Sequence, residues 1–186
     1  RSSAASDVYK RQVVERPSSV VKELVENAID AKATAVTVEI NEGGISFIRI
    51  TDNGCGIEKK QVPIAFLRHS TSKIRSVEDL LSIHSLGFRG EALSSIAAVA
   101  QVELITKTYE ELTGTRYVIE GSKEIENEEI GAPEGTTFIV RNLFYNVPAR
   151  RKFLKTAQTE AGYISDLMER MALSHPDVSF LSLIHI

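Results

Sequence analysis

KELVENAIDA, residues 22–31, continues an apolar pattern that starts two residues earlier. Val20, Val21, Leu24, Val25, Ala28 and Ile29 recur at the spacing of one helix face, which predicts an amphipathic helix. Pro17 and Ser18 stand at its start, where proline is tolerated and a hydroxyl can cap. Glu23 and Asn27 are one helical turn apart and project from the same face. Taken alone, that pair is a solvated polar face, or a carboxylate and carboxamide able to hold a water and a metal ion side by side.

Outward from the helix, residues 34–41 alternate, with Val36, Val38 and Ile40 on one face, as in a half-buried strand. Glu42, Gly43 and Gly44 make a turn, and residues 45–51 return as the second strand of a hairpin. That strand runs into DNGCG, residues 52–56. Its two glycines allow sharp bends and close approach of backbone to a ligand. Residues 58–67 are expected to be helical, 68–73 (RHSTSK) a polar loop, and the segment opening at Ser76 a short helix. The glycine-bearing loop of LGFRGEAL, residues 86–93, precedes a small-residue helix over 94–100. The N–H groups at such a helix start can bind an anion, although GxxxxGK[ST] is absent; an ordinary structural turn accounts for the glycines equally well.

Strands are expected over 102–108, 115–120 and 136–140, with the acidic segment 124–129 a weaker strand or loop. One long helix or two short ones are expected over 152–173. Arg141, Arg150, Arg151, Lys152 and Lys155 gather positive charge that reads either as a solvated helix entrance or as a phosphate-steering patch.

Composition sets broad bounds. The 186 residues are 42% apolar and 25% charged, ordinary for a globular domain with a real core. The formal charge of −3 gives no global basic field for nucleic acid. No apolar run approaches the roughly 20 residues of a membrane span, and no stretch reads as a signal peptide. Cys55 is the one cysteine, so no internal disulfide can form, as expected of a reducing compartment. No cysteine or histidine cluster has metal-ligand spacing.

The two ends read as foreign. DVYKRQ, residues 7–12, back-translates as GAT GTG TAT AAG AGA CAG. The reverse complement, CTG TCT CTT ATA CAC ATC, encodes LSLIHI, residues 181–186. One inverted DNA repeat, similar to a transposon end used in making sequencing libraries, thus accounts for both. Residues 1–12 and 181–186 are therefore expected to be adapter-derived and to lack tertiary packing. Residues 13–180 would be one domain, truncated at both sides.

KELVENAIDA, DNGCGI, HSTSKI, LGFRGEALSSI, GTT and LFYNVPARRKFL, in this order, resemble the N-terminal ATPase region of the MutL family of DNA mismatch repair proteins, over about residues 13–180. The first, second and fourth blocks are shared in outline with gyrase, heat-shock chaperone and histidine-kinase ATPases. GFRGEAL and FYNVPARRKF are more particular to MutL. The resemblance implies a Bergerat-type α/β two-layer sandwich: a mixed, largely antiparallel sheet covered by helices on one face. It implies ATP and Mg²⁺ as cofactors, with Glu23 as the general base on water and Asn27 as the Mg²⁺ ligand. Asp52 would accept from the adenine amine, with Gly54 and Gly56 passing beneath the base. Thr71 and Thr136 would help hold the nucleotide, and Gly87, Phe88, Arg89 and Gly90 would cover the phosphates.

The implied partners are a mismatch sensor, a downstream nuclease or helicase, and DNA, the last mainly through regions beyond this chain. The whole protein would be a homodimer or heterodimer with no membrane attachment. It would lie in the cytoplasm or nucleoid of a bacterium, or in a eukaryotic nucleus. Missing relative to the family are the sequence before VVERP, a downstream subdomain supplying a lysine to the γ-phosphate, and the C-terminal dimerisation region. This segment alone would then turn over poorly. Rival readings are another ATPase of the same fold and a nucleotide-gated scaffold that does not hydrolyse.

Overall fold

The computed structural model describes residues 14–67 and 91–185. Helix α1 spans Pro17–Asp30 and buries Val20, Val21, Leu24, Val25 and Ala28, the face the periodicity marks. It begins two residues earlier than a Ser18 cap would place it. Pro17 occupies the first turn, and Arg16 at the cap position makes no side-chain cap hydrogen bond. Proline suits that place because its missing N–H would have no helical partner there.

Strand β1 is Ala35–Asn41 and β2 is Phe47–Asp52, antiparallel neighbours joined by a single-turn 3₁₀ segment, Glu42–Gly44. The expected helix over 58–67 is shorter and in two pieces. A 3₁₀ turn, Lys59–Gln61, leads into α2, Val62–Ala65, which carries Pro63 in its first turn. Proline is accepted only at a helix start, so the helix begins there. Helix α3 is Ala92–Val99. Strands β3 (Gln101–Lys107), β4 (Gly114–Glu120), β5 (Lys123–Ile130) and β6 (Gly135–Arg141) follow. Helix α4 is Pro148–Arg151 and α5 is Ala157–Ser174. Of the two options for 152–173, the chain takes a break and one long helix, capped where Thr156 accepts the Thr159 N–H. Strand β7, Ser179–His185, ends the described chain.

The sheet order is β5-β4-β3-β6-β2-β1-β7. All neighbours are antiparallel except β1 and β7, which are parallel, so the sheet is mixed and largely antiparallel. Among the described residues it has two free edges, and it is not closed. The inward residues of β1, β2, β3, β4 and β6 share one core with α1, α3 and α5. The opposite face carries ion pairs: Arg116 with Glu103, Glu126 and Glu128, Arg141 with Glu103, and Arg49 with Glu39. This is the two-layer α/β sandwich that the family resemblance implies.

Residues 181–185 differ from expectation. They continue β7 and pair along β1, Leu181 opposite Thr37 and Ile184 opposite Ile40. Leu181 and Leu183 are exposed, whereas Phe180 and Ile184 pack partly against the core. Strand pairing uses backbone groups, so any extended segment with alternating side chains can satisfy the free edge of β1. Residues 1–12 lie outside the described residues. So do 68–90, which include Thr71, Ser76, Gly87, Phe88, Arg89 and Gly90.

Candidate functional site

At one end of the sheet the inward-facing residues change character. Asp52 of β2 stands opposite Thr136 of β6, Thr136 opposite Thr106 of β3, and Thr106 opposite Thr115 of β4. All four are buried. They form a polar rung where the next two rungs inward are apolar.

Asp52 Oδ1 accepts the Gly54 N–H at 2.8 Å. Burial pushes the Asp52 pKa up from its ordinary 3.8 to about 6, against the opposing pull of the Gly54 and Thr136 backbone N–H groups. The loop after it is fastened on three sides. Asn53 Oδ1 accepts the backbone N–H groups of Thr34 and Ala35 at 2.8 and 3.0 Å, and its Nδ2 donates to Thr34 Oγ1 at 2.8 Å. The Cys55 N–H donates to the Ala31 carbonyl at 2.9 Å, tying the loop to the end of α1. The Ile57 N–H donates to Thr106 Oγ1 at 2.9 Å.

Two glycines are required by the geometry. Gly56 has φ +73°, and a Cβ there would lie 2.1 Å from the Lys107 carbonyl oxygen. Gly135 has φ +122°, and a Cβ there would lie 2.2 Å from the Asp52 carbonyl oxygen. Any larger residue would push β6 or the loop away from Asp52.

Asn27, Ala31, Asp52, Gly56, Ile57, Thr136 and Phe138 line one small cavity of about 20 Å³. That admits one water molecule or amino group, not an aromatic ring. Of the sequence-derived candidates, the structure brings Asn27, Asp52, Gly56 and Thr136 to this cavity, with Gly54 donating to Asp52. Glu23 lies one turn before Asn27 on α1, half-buried, and does not line the cavity. Thr106 and Asn53 were not singled out by sequence. The signal for Thr106 was its inward place in the alternation of β3; Asn53 had only its position after Asp52.

Asn27 is buried, and its Nδ2 has no hydrogen-bond partner among the described residues. A buried unpartnered amide is expensive unless something else completes it. Since the amide can be turned, it can present oxygen or nitrogen to a ligand. No group of three or more His, Cys, Asp or Glu side chains among the described residues could hold a metal. The buried Asn27 amide, turned to present its oxygen, is the donor that could join a Mg²⁺ bringing water and phosphate oxygens with it.

The fold has known counterparts. The family described as histidine kinase-, DNA gyrase B-, and HSP90-like ATPase matches residues 15–138, and the chain belongs to it. Within that family the similarity is to the N-terminal ATPase region of MutL. The DNA mismatch repair protein MutL of Agathobacter rectalis is 82% identical over 169 residues, 91% of this chain and 26% of that protein. MutL of Caldanaerobacter subterraneus subsp. tengcongensis is 56% identical over 91% of this chain and 29% of its own length. The Aquifex aeolicus MutL ATPase domain complexed with ADP superposes with TM-score 0.73 at 37% identity, over 92% of this chain and 61% of that one. A solved N-terminal domain of a DNA repair protein gives TM-score 0.80 at 30% identity, over 95% and 52%. The chain thus spans little more than a quarter of these curated relatives.

Proposed function

We propose that this domain binds Mg·ATP and hydrolyses it, and that the cycle switches a DNA mismatch repair protein between conformations and partners. The observation that carries the proposal is the polar rung at the mouth of an apolar core. A buried carboxylate with a raised pKa, an unpartnered amide and a threonine hydroxyl converge on a water-sized cavity. MutL relatives and an ADP-complexed neighbour support the nucleotide as the ligand.

In this reading Asp52 accepts from the exocyclic amine of adenine, and Thr136 and Gly56 lie beside it, with Gly54 supporting the carboxylate. Asn27, on the side of α1, offers its amide oxygen to Mg²⁺, which neutralises phosphate charge when bound. Glu23, one turn before Asn27 on the helix, takes a proton from the attacking water; phosphoryl transfer needs a positioned water more than covalent chemistry. Thr71 and the loop of Gly87, Phe88, Arg89 and Gly90 would complete the phosphate side. A mismatch sensor, a nuclease or helicase, DNA and a second MutL-type subunit are the partners proposed for the whole protein, in a bacterial cytoplasm.

The test uses the full-length protein. Glu23→Ala should leave ATP affinity near wild type and lower turnover by about 10²–10⁴-fold, the usual worth of a positioned base. Asn27→Ala should weaken Mg·ATP binding and abolish turnover while changing metal-free nucleotide binding less. Matching thermal unfolding of both variants excludes misfolding. Wild-type turnover in Glu23→Ala would remove the base and leave a nucleotide-gated scaffold.

A further inference from the structure

Three contacts converge on the hydroxyl of Thr106, which is 1% exposed. The Ile57 N–H donates to Oγ1 at 2.9 Å, the Gly135 carbonyl oxygen lies 3.1 Å away, and Thr136 Oγ1 lies 2.9 Å away. A hydroxyl has one proton to give and two lone pairs to receive. The Gly135 carbonyl can only accept, so the Thr106 proton goes to it. The Ile57 N–H can only donate, so it fills one lone pair. The remaining contact is then satisfied in one sense: Thr136 donates its proton to Thr106. Leaving any of these groups unmade in so buried a place would be costly, so the arrangement that satisfies all of them prevails.

The consequence falls on the cavity. With its proton turned toward Thr106, Thr136 can offer only lone pairs to a ligand. The Asp52 carboxylate already accepts from the Gly54 and Thr136 backbone N–H groups and, when ionised, keeps lone pairs for a further donor, so it is a second acceptor beside Thr136. We infer that Thr106 determines base specificity at this site: by fixing the Thr136 hydroxyl as an acceptor beside Asp52, it makes the site select a purine with a 6-amino group over one with a 6-oxo group. The cavity admits an amino group, which gives one hydrogen to each of the two oxygens, whereas a 6-oxo group brings only lone pairs to the same place. Asn27 also lines the cavity, but its amide can turn either way and adds no fixed polarity. The inference rests on the reading that the site holds a purine nucleotide.

Calorimetric titration of the full-length protein with ATP, GTP and the 6-unsubstituted purine riboside triphosphate tests it. Wild type should prefer ATP, with GTP weaker than the unsubstituted analogue. Thr106→Val keeps the shape and frees the Thr136 proton to meet a 6-oxo group, so the ATP-to-GTP affinity ratio should fall about tenfold, the worth of one hydrogen bond. Thr106→Ser should hold the ratio within about twofold of wild type. Equal weakening of both nucleotides in Thr106→Val would overturn the inference and leave the hydroxyl a structural role alone. If that variant does not fold, Thr106→Cys replaces it, because a thiol is a poor donor and acceptor; an unchanged ratio there overturns the inference too. A wild type that shows no preference for ATP would instead sink the nucleotide reading of the site, before Thr106 is touched.

Discussion

Strands β2, β6, β3 and β4 present three successive rungs to the helices, and the rungs are not alike. Ile48, Val140, Val102 and Ile119 make one; Ile50, Phe138, Leu104 and Tyr117 make the next; Asp52, Thr136, Thr106 and Thr115 make the third. All twelve residues are buried. Neighbouring rungs are separated by two residues of strand, about 7 Å. Backbone, face and burial are shared, so the difference lies in side-chain chemistry. A sheet selected for stability alone would continue the apolar pattern. The polar rung carries a desolvated carboxylate and a set of hydroxyls that must find partners, which weakens the fold where a ligand can use them.

The comparison breaks most visibly at Leu104, which is fully buried in the middle rung. Leu104→Ala should cost about 2–5 kcal/mol in a denaturant titration, the range for large-to-small changes in a core. The ratio of ATP to GTP affinity in the folded protein should not move. A changed ratio would mean that the apolar rung shapes the site beyond the wall Phe138 lends the cavity, and that the division between the two is false.

Asp52 should give the opposite pattern. The folded pKa of about 6 lies above the ordinary 3.8, so the folded protein holds this proton after the unfolded chain has released it. The stability from Asp52 is therefore fully present below about pH 4 and lost as pH rises through about 6, some 3 kcal/mol in all. Asp52→Asn removes the buried charge. The ligand-free variant should be more stable than wild type at pH 7 by up to about 3 kcal/mol and should lose that part of the pH dependence. Its amide oxygen can keep the Gly54 N–H, which leaves an NH₂ facing the cavity. ATP binding should consequently fall by about 1.5–3 kcal/mol. Chemical denaturation at pH 4 and pH 7, with calorimetry for ATP, checks both halves. A variant less stable than wild type at pH 7 would show that Asp52 holds the fold together and is no functional compromise.

How much of this was legible in the chain follows from the same division. Helix α1 and the inward residues of β1 and β2 showed themselves because burial on one face leaves a period. Asp52, Gly54 and Gly56 were conspicuous because a strand that ends in DNGCG interrupts its own pattern. Strand β5 was ambiguous because KEIENEEI lies at the edge and is exposed along nearly its whole length, so no face had to be apolar. Residues 181–185 of β7 were set aside on their codon pattern, a criterion to which backbone pairing is indifferent. The insertion of β6 between β2 and β3, which brings Thr136 to Asp52, is long-range and leaves no local trace. Thr106 escaped for a related reason: an inward threonine near a strand end is unremarkable until Ile57, Gly135 and Thr136 are seen around it.

Thr115 locates the far boundary of the polar rung and should give the smallest effect. It stands opposite Thr106 and is 2% exposed. It does not line the cavity that Asp52 and Thr136 share. If the rung is polar only as far as the site needs, function stops at Thr106 and Thr115 is a hydroxyl without a task. Thr115→Val keeps the branched shape and removes a polar atom from a buried place. The variant should match or exceed wild-type stability by up to about 1 kcal/mol, at the low end of what desolvating a hydroxyl costs. ATP affinity and the ATP-to-GTP ratio should stay within about twofold, since the three contacts of Thr106 do not include it. Thermal unfolding and the same nucleotide titrations decide the point. A tenfold change in the ratio would extend the specificity network across β4 and would require that Thr115 help orient the Thr106 proton, in conflict with the assignment of that proton to Gly135.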